Sequence, residues 1–175
     1  MLKWCDEYHK NHPAIAIDYE PLGSGAGIRQ LLLGAVDFGA TDGPMTNEQL
    51  AQAKGPIFHS PTALGAGVPT YNLPGVSQEL NFTPEALAAI FLGKITRWDD
   101  PELARVNADV RFPANKIEVV HRSEGSGTTY VWTDYLSKVS EEWKTRVGTA
   151  MSVHWPVGVG APGNKGFSFP IRLCS

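Results

Sequence analysis

The chain has 175 residues, 42% hydrophobic and 19% charged, with a formal net charge of -3 and a pI near 5.9. That balance fits one globular domain or two small lobes around a buried core and excludes a disordered or fibrous chain. Lacking a sustained Lys/Arg run, the chain is not expected to take nucleic acid or an anionic membrane as its primary partner, and any anion must be bound locally.

Residues 2–12 read as a helix that stops before Pro13, and residues 14–20, "AIAIDYE", alternate like a strand. The turn "LGSGAG" follows, with Ser24 as the expected N-cap of a helix that carries Ile28, Leu31 and Leu32 on one face and ends near Gly34. "AVDFGA", residues 35–40, is the next predicted strand, which completes a strand, turn, helix and strand in βαβ order. Thr46 is placed to cap "TNEQLAQA". Residues 57–72 are strand-like but broken by Gly and Pro, and "GVPTYNLPG" is long enough to cross between lobes. Thr83 and Pro84 open a helix through Leu92 with Gly93 just past its end, and Asp100 and Pro101 repeat the device. "KIEVV", residues 116–120, is a predicted strand; residues 130–139 lie on a helix, and Ser140 starts another.

No apolar run approaches the roughly 18 residues of a membrane span, and "MLKWCDEYHKNHP" is too polar for a signal peptide. As written, the chain is expected to be cytoplasmic. Cys5 and Cys174 stand at opposite ends, a spacing that neither makes a disulfide framework nor excludes one bridge.

Three glycine- or acid-bearing turns follow predicted strands: "GSGAG" at 23–27, "GATDGP" at 39–44 and "RSEGSGTT" at 122–129. Ligands of open α/β sheets gather outside the carboxyl ends of strands, where helix N-termini converge. Each turn alone is better explained by ordinary capping than by binding; together their chemistry suits a tetrahedral oxyanion. Ser24, Ser126 and Thr128 offer hydroxyls, the amides around Gly127 and Thr128 donate from a helix start, and Arg122 offers a planar fork of donors. Asp42 repels an anion unless that anion carries a proton for it to accept, as phosphate does near neutral pH and sulfate does not. Glu124 either pairs with Arg122 and orients it or is a solvated loop charge.

Catalytic and metal motifs are thinner. Leu22 and Glu124 stand where a G-x-S-x-G elbow needs its first glycine, and no Walker-type lysine follows a glycine loop. A serine hydrolase using His121 or His154 therefore has no motif behind it. Cys5, His9 and His12 are spaced i, i+4 and i+7, a spacing that could bind zinc, but the preferred reading is that His12 caps the helix end and His9 is solvated.

"YEPLGSGAGIRQLLLGAVDFGATDGPMTNEQL", "FLGKITRWDDPELARVN", "VVHRSEGSGTTYVWTDYLSKVSEEWK" and "WPVGVGAPGNKG" resemble, in order, blocks of the PstS-type phosphate-binding subunits of the high-affinity phosphate ABC transporter. The resemblance implies an α/β, two-lobed Venus-flytrap fold of the periplasmic binding protein type II class, here incomplete. It implies residues 1–72 as part of lobe 1, 73–166 as part of lobe 2 and 167–175 as a divergent tail. Phosphate contacts fall to Ser24, Asp42, Arg122, Ser126, Gly127 and Thr128, with Glu124 where the family has an aspartate that braces the arginine. The implied function is binding of inorganic phosphate for ABC uptake, with a transporter permease as partner and no catalytic residue, cofactor or metal.

Family members begin with a signal segment, a first strand and a "GAGATFP"-like loop, and end with segments that return to complete both lobes; the full-length family is periplasmic or at the cell surface. This chain is expected to be truncated at both ends, with weakened phosphate binding and self-association through uncovered sheet edges. A non-binding structural remnant is the alternative, followed by a phosphate-ester hydrolase.

Overall fold

Local end signals determine most of the helices. The computed structural model describes residues 2–163 and 166, so the expected tail at 167–175 and any bridge to Cys174 lie outside the described residues. The first helix, α1 (Leu2–Asn11), ends where expected. His12 donates its backbone N–H to Tyr8 O at 2.9 Å, and its Nδ1 lies 3.2 Å from the same oxygen. His9 Nδ1 lies 2.7 Å from Ile15 O, so both histidines face main-chain carbonyls while Cys5 is buried. Helix α2 (Ser24–Leu33) closes on Gly34 at φ 71°, a left-handed turn that favours glycine. Its N-cap is Gly23, not the expected Ser24, which is the first helical residue and is buried.

The remaining caps follow the sequence. Thr46 forms a capping box with Gln49 on α3 (Asn47–Ala51), and Thr83 accepts from Ala86 N on α4 (Pro84–Phe91), whose first residue is proline. Asp100 caps α5 (Pro101–Arg105), and Ser140 caps α7 (Glu141–Arg146). The long helix α6 (Gly127–Val139) starts three residues earlier than the run 130–139, because Ser126 accepts from Thr129 N.

Strands depart most from expectation. Residues 14–20 and 35–40 form no strand, so the βαβ unit expected there is absent. "KIEVV" contributes only its last residue to β1 (Val120–Arg122), which pairs in parallel with β2 (Val159–Ala161); Lys116 makes an isolated antiparallel bridge to Arg97. Alternation marks a face to be covered, whereas a strand also requires a neighbour to bond. Among the described residues the sheet has these two strands.

The core is built around α4. Ala86 and Ile90 of α4 pack with Ile95, Leu103 and Val119; Ala88 and Leu92 pack with Leu136 and Trp143. This central helix is therefore buried on two faces and bears on α6. Asn107, 6% exposed, ties the layer together: its amide donates to Leu103 O at 2.8 Å and Asn81 O at 2.9 Å, and its oxygen accepts from Asn81 N at 2.7 Å. A buried amide satisfied in this way replaces strand pairing for the local backbone. Trp143, fully buried, donates Nε1–H to Gly148 O.

Leu136→Ala removes a fully buried side chain from this core and is expected to cost about 2–5 kcal/mol. Thr83→Ala, losing a cap, is expected to cost about 1 kcal/mol. Urea denaturation of both variants checks the ranking; equal effects would place the weight of stability outside the α4–α6 contact.

Candidate functional site

The three turns singled out in the sequence meet in space. The start of α2 abuts the loop before α6, where Gly25 N–H donates to Gly125 O at 3.0 Å. A Cβ added to Gly127 would lie 2.5 Å from Asp42 Cβ, Asp42 Oδ2 and Ser24 Oγ, so the first turn of α6 meets both loops at once. Ser24 Oγ in turn accepts from Asp42 N at 3.3 Å. Gly43 packs on Tyr130, whose ring carbon would stand 2.7 Å from an added Cβ. Only glycine leaves room at 43 and 127.

Two helix N-termini therefore converge, and the leading N–H groups of a helix have no intrahelical acceptor. Their dipoles add positive potential at the same place. Arg122 contributes the formal charge. Its guanidinium, with the side chain 11% exposed, is held by Glu124: Nε–H donates to Oε1 at 2.6 Å and Nη2 donates to the same oxygen. Gly163 N–H donates to Oε1 as well, at 3.1 Å, while Oε2 is buried without a partner among the described residues. A Cβ on Gly23 would lie 3.5 Å from Arg122 Nη2, which places the guanidinium beside the start of α2.

Burial pushes the Glu124 carboxyl up. The hydrogen bond from Arg122, with main-chain donors of Glu124 and Gly163, outweighs that effect and holds it below the ordinary glutamate value. Glu124 is thus an ion-pair brace, not a solvated loop charge.

The predicted residues divide into three settings. Ser24, Asp42 and Gly127 form one cluster, with Ser24 and Gly127 buried and Asp42 still exposed. Ser126 is 1% exposed, and its hydroxyl accepts from Thr129 N as the α6 cap. Thr128 is exposed and, with Arg122, lines a cavity of about 580 Å³. Sequence reasoning missed Tyr130, the support from Gly163, and the stack of His121 on Trp155 with centroids 4.7 Å apart. His121 and Tyr130 flank the quoted motif; nothing local signals Gly163. Among the described residues no three His, Cys, Asp or Glu side chains gather as a metal site.

Residues 1–166 match a family described as a PBP superfamily domain. The phosphate-binding protein PstS of Pasteurella multocida is 47% identical over 165 residues, covering 94% of this chain and 47% of that protein. Its namesake from Methanocaldococcus jannaschii is 41% identical over 176 residues, covering 94% and 45%. The chain spans about half the length of these curated relatives. Among solved structures, a phosphate-bound high affinity periplasmic phosphate-binding protein, PfluDING, aligns with a TM-score of 0.58 at 22% identity, over 89% of this chain and 47% of its own. An ABC-type phosphate transport receptor from Vibrio cholerae aligns with a TM-score of 0.51 at 19% identity, over 96% and 60%. At those identities the likeness concerns the fold.

Gly127→Ala is expected to destabilise the chain by about 1–3 kcal/mol through overpacking against Ser24 and Asp42, read by urea denaturation. Glu124 has a depressed folded pKa, so its contribution is present above the ordinary glutamate range and is lost as pH falls through the lower folded value. Stability measured against pH should therefore fall more steeply on the acid side for the parent chain than for Glu124→Gln.

Proposed function

The chain belongs to the PBP superfamily, and from that premise we propose that it binds inorganic phosphate where the starts of α2 and α6 meet. The observation that carries this reading is the joint approach of Ser24 and Asp42 to Gly127, with a braced Arg122 beside the start of α2. In this reading Arg122 neutralises the anion, and the Gly127 and Thr128 amides donate from the helix start. The Ser24, Ser126 and Thr128 hydroxyls complete the donor set. Asp42 accepts the phosphate proton. Sulfate brings no proton, so its oxygens face an acceptor with which they cannot bond.

The same reading makes residues 1–72 and 73–166 parts of two lobes, with the crossing in the stretch 67–75. These roles suit a receptor that delivers phosphate to an ABC transporter permease at the periplasmic face of the membrane, as the names of the relatives suggest. No step of bond making or breaking is required of any residue in it. Among the described helices, none is long and apolar enough to cross a membrane.

Calorimetric titration with phosphate, with sulfate as the control, tests the site. Arg122→Ala should weaken phosphate at least tenfold, as expected for loss of charge-assisted hydrogen bonds worth about 1.5–3 kcal/mol. Asp42→Asn should narrow the preference for phosphate over sulfate. Retention of affinity in Arg122→Ala, or absence of heat and thermal stabilisation with either anion, would overturn the proposal.

A further inference from the structure

Asp42 is exposed, and an acceptor free to turn toward water puts no cost on an anion that brings no proton. Its main chain is anchored by the first part of the chain. Gly39 lies against Gly27, where an added Cβ would stand 3.0 Å from Gly27 O. Asp42 N–H donates to Ser24 Oγ at 3.3 Å, and Met45 N–H donates to His59 Nε2 at 3.2 Å. Between them the Thr41 hydroxyl donates to Gly43 O at 2.7 Å and accepts from Gly43 N at 3.2 Å. All these anchors precede residue 60, whereas the main-chain donors assigned to the anion stand on α6. The acceptor must also be set against that helix.

Two residues of α6, three apart and so on one face, meet two consecutive loop residues. The Cβ that Gly127 lacks would stand 2.5 Å from Asp42 Cβ and Oδ2. The Cβ that Gly43 lacks would stand 2.7, 3.1 and 3.2 Å from Cδ1, Cε1 and Cγ of the Tyr130 ring. Gly43 is buried and Tyr130 half-buried, so the ring closes on the main chain at the residue next to the carboxylate.

We propose that Tyr130 is the positioning residue for anion selectivity: its ring, resting on Gly43, keeps the Asp42 carboxylate at the start of α6 so that it cannot withdraw from an anion without a proton. The inference rests on the phosphate reading above and assigns the choice between anions to a residue outside the proposed donor set. The flat ring does this, and the phenol oxygen is not required.

The test is calorimetry with phosphate and with sulfate, read as the ratio of sulfate Kd to phosphate Kd, together with amide hydrogen exchange in the absence of either anion. Tyr130→Phe should keep the parent ratio. Tyr130→Ala should lower it at least tenfold and speed exchange of the Asp42 and Gly43 amides at least tenfold. A merely structural role would weaken both anions alike and leave the ratio unmoved. Asp42→Asn/Tyr130→Ala should show the ratio of Asp42→Asn alone, because the ring acts through the carboxylate. Should Tyr130→Ala fail to fold by circular dichroism, Tyr130→Leu, which keeps apolar bulk without the flat ring, should lower the ratio at least threefold. A parent chain with no preference for phosphate would overturn the phosphate reading and this inference with it. A selective parent whose ratio survives in the folded Ala or Leu variant, falls in Tyr130→Phe, or falls further in the double variant than in Asp42→Asn would overturn this inference alone, as would unchanged exchange at the Asp42 and Gly43 amides.

Discussion

Two helix starts can stand face to face only because position 127 has no side chain. The space a Cβ would need is filled by Ser24 Oγ and the Asp42 side chain, and the neighbouring loops are locked by the bond from Gly25 N–H to Gly125 O. The arrangement of the site depends on that clearance. It brings a hydroxyl and a carboxylate from the first part of the chain onto the donor end of a helix in the second. It also places two positive dipole ends together, a repulsive pairing that an anion between them relieves.

Charge is handled unevenly across the molecule. Pairs such as Lys10–Glu7, Arg105–Glu102 and Lys144–Glu141 join exposed side chains within single helical turns and contribute little. Arg122–Glu124 is different, because both side chains are largely withdrawn from water and a main-chain N–H also donates to the same carboxylate. A guanidinium held on one side by a rigid acceptor keeps its direction without an anion present. Preorganisation of this kind reduces the ordering cost of binding.

Helix ends were legible in the sequence because capping is local chemistry: Thr46, Thr83, Asp100 and Ser140 each accept from an N–H two or three residues ahead. Strands were not, because residues 14–20 and 35–40 carry an alternating or apolar pattern but pair with no strand among the described residues. Ser24 failed as a cap for a related reason, since Gly23 at φ 88° turns the chain one residue earlier. The loops of the candidate site could be grouped from their donor chemistry. That Ser126 spends its acceptor on Thr129 N, while Ser24 turns to Asp42 N, depends on tertiary geometry that spacing does not encode.

Asn107 carries a consequence for the order in which the molecule assembles. Its three bonds reach Leu103, four residues back, and Asn81, 26 residues back, and fasten the approach to α4 onto the end of α5. The cost of closing a loop grows only slowly with its length, so this unit, which needs no residue before Asn81, can condense on its own and offer α6 a prepared surface. The first part of the chain contributes few buried apolar residues, among them Cys5, Ile28 and Met45. It is therefore a late arrival, fastened mainly through the glycine-lined junction, and the part able to detach while the remainder stays folded.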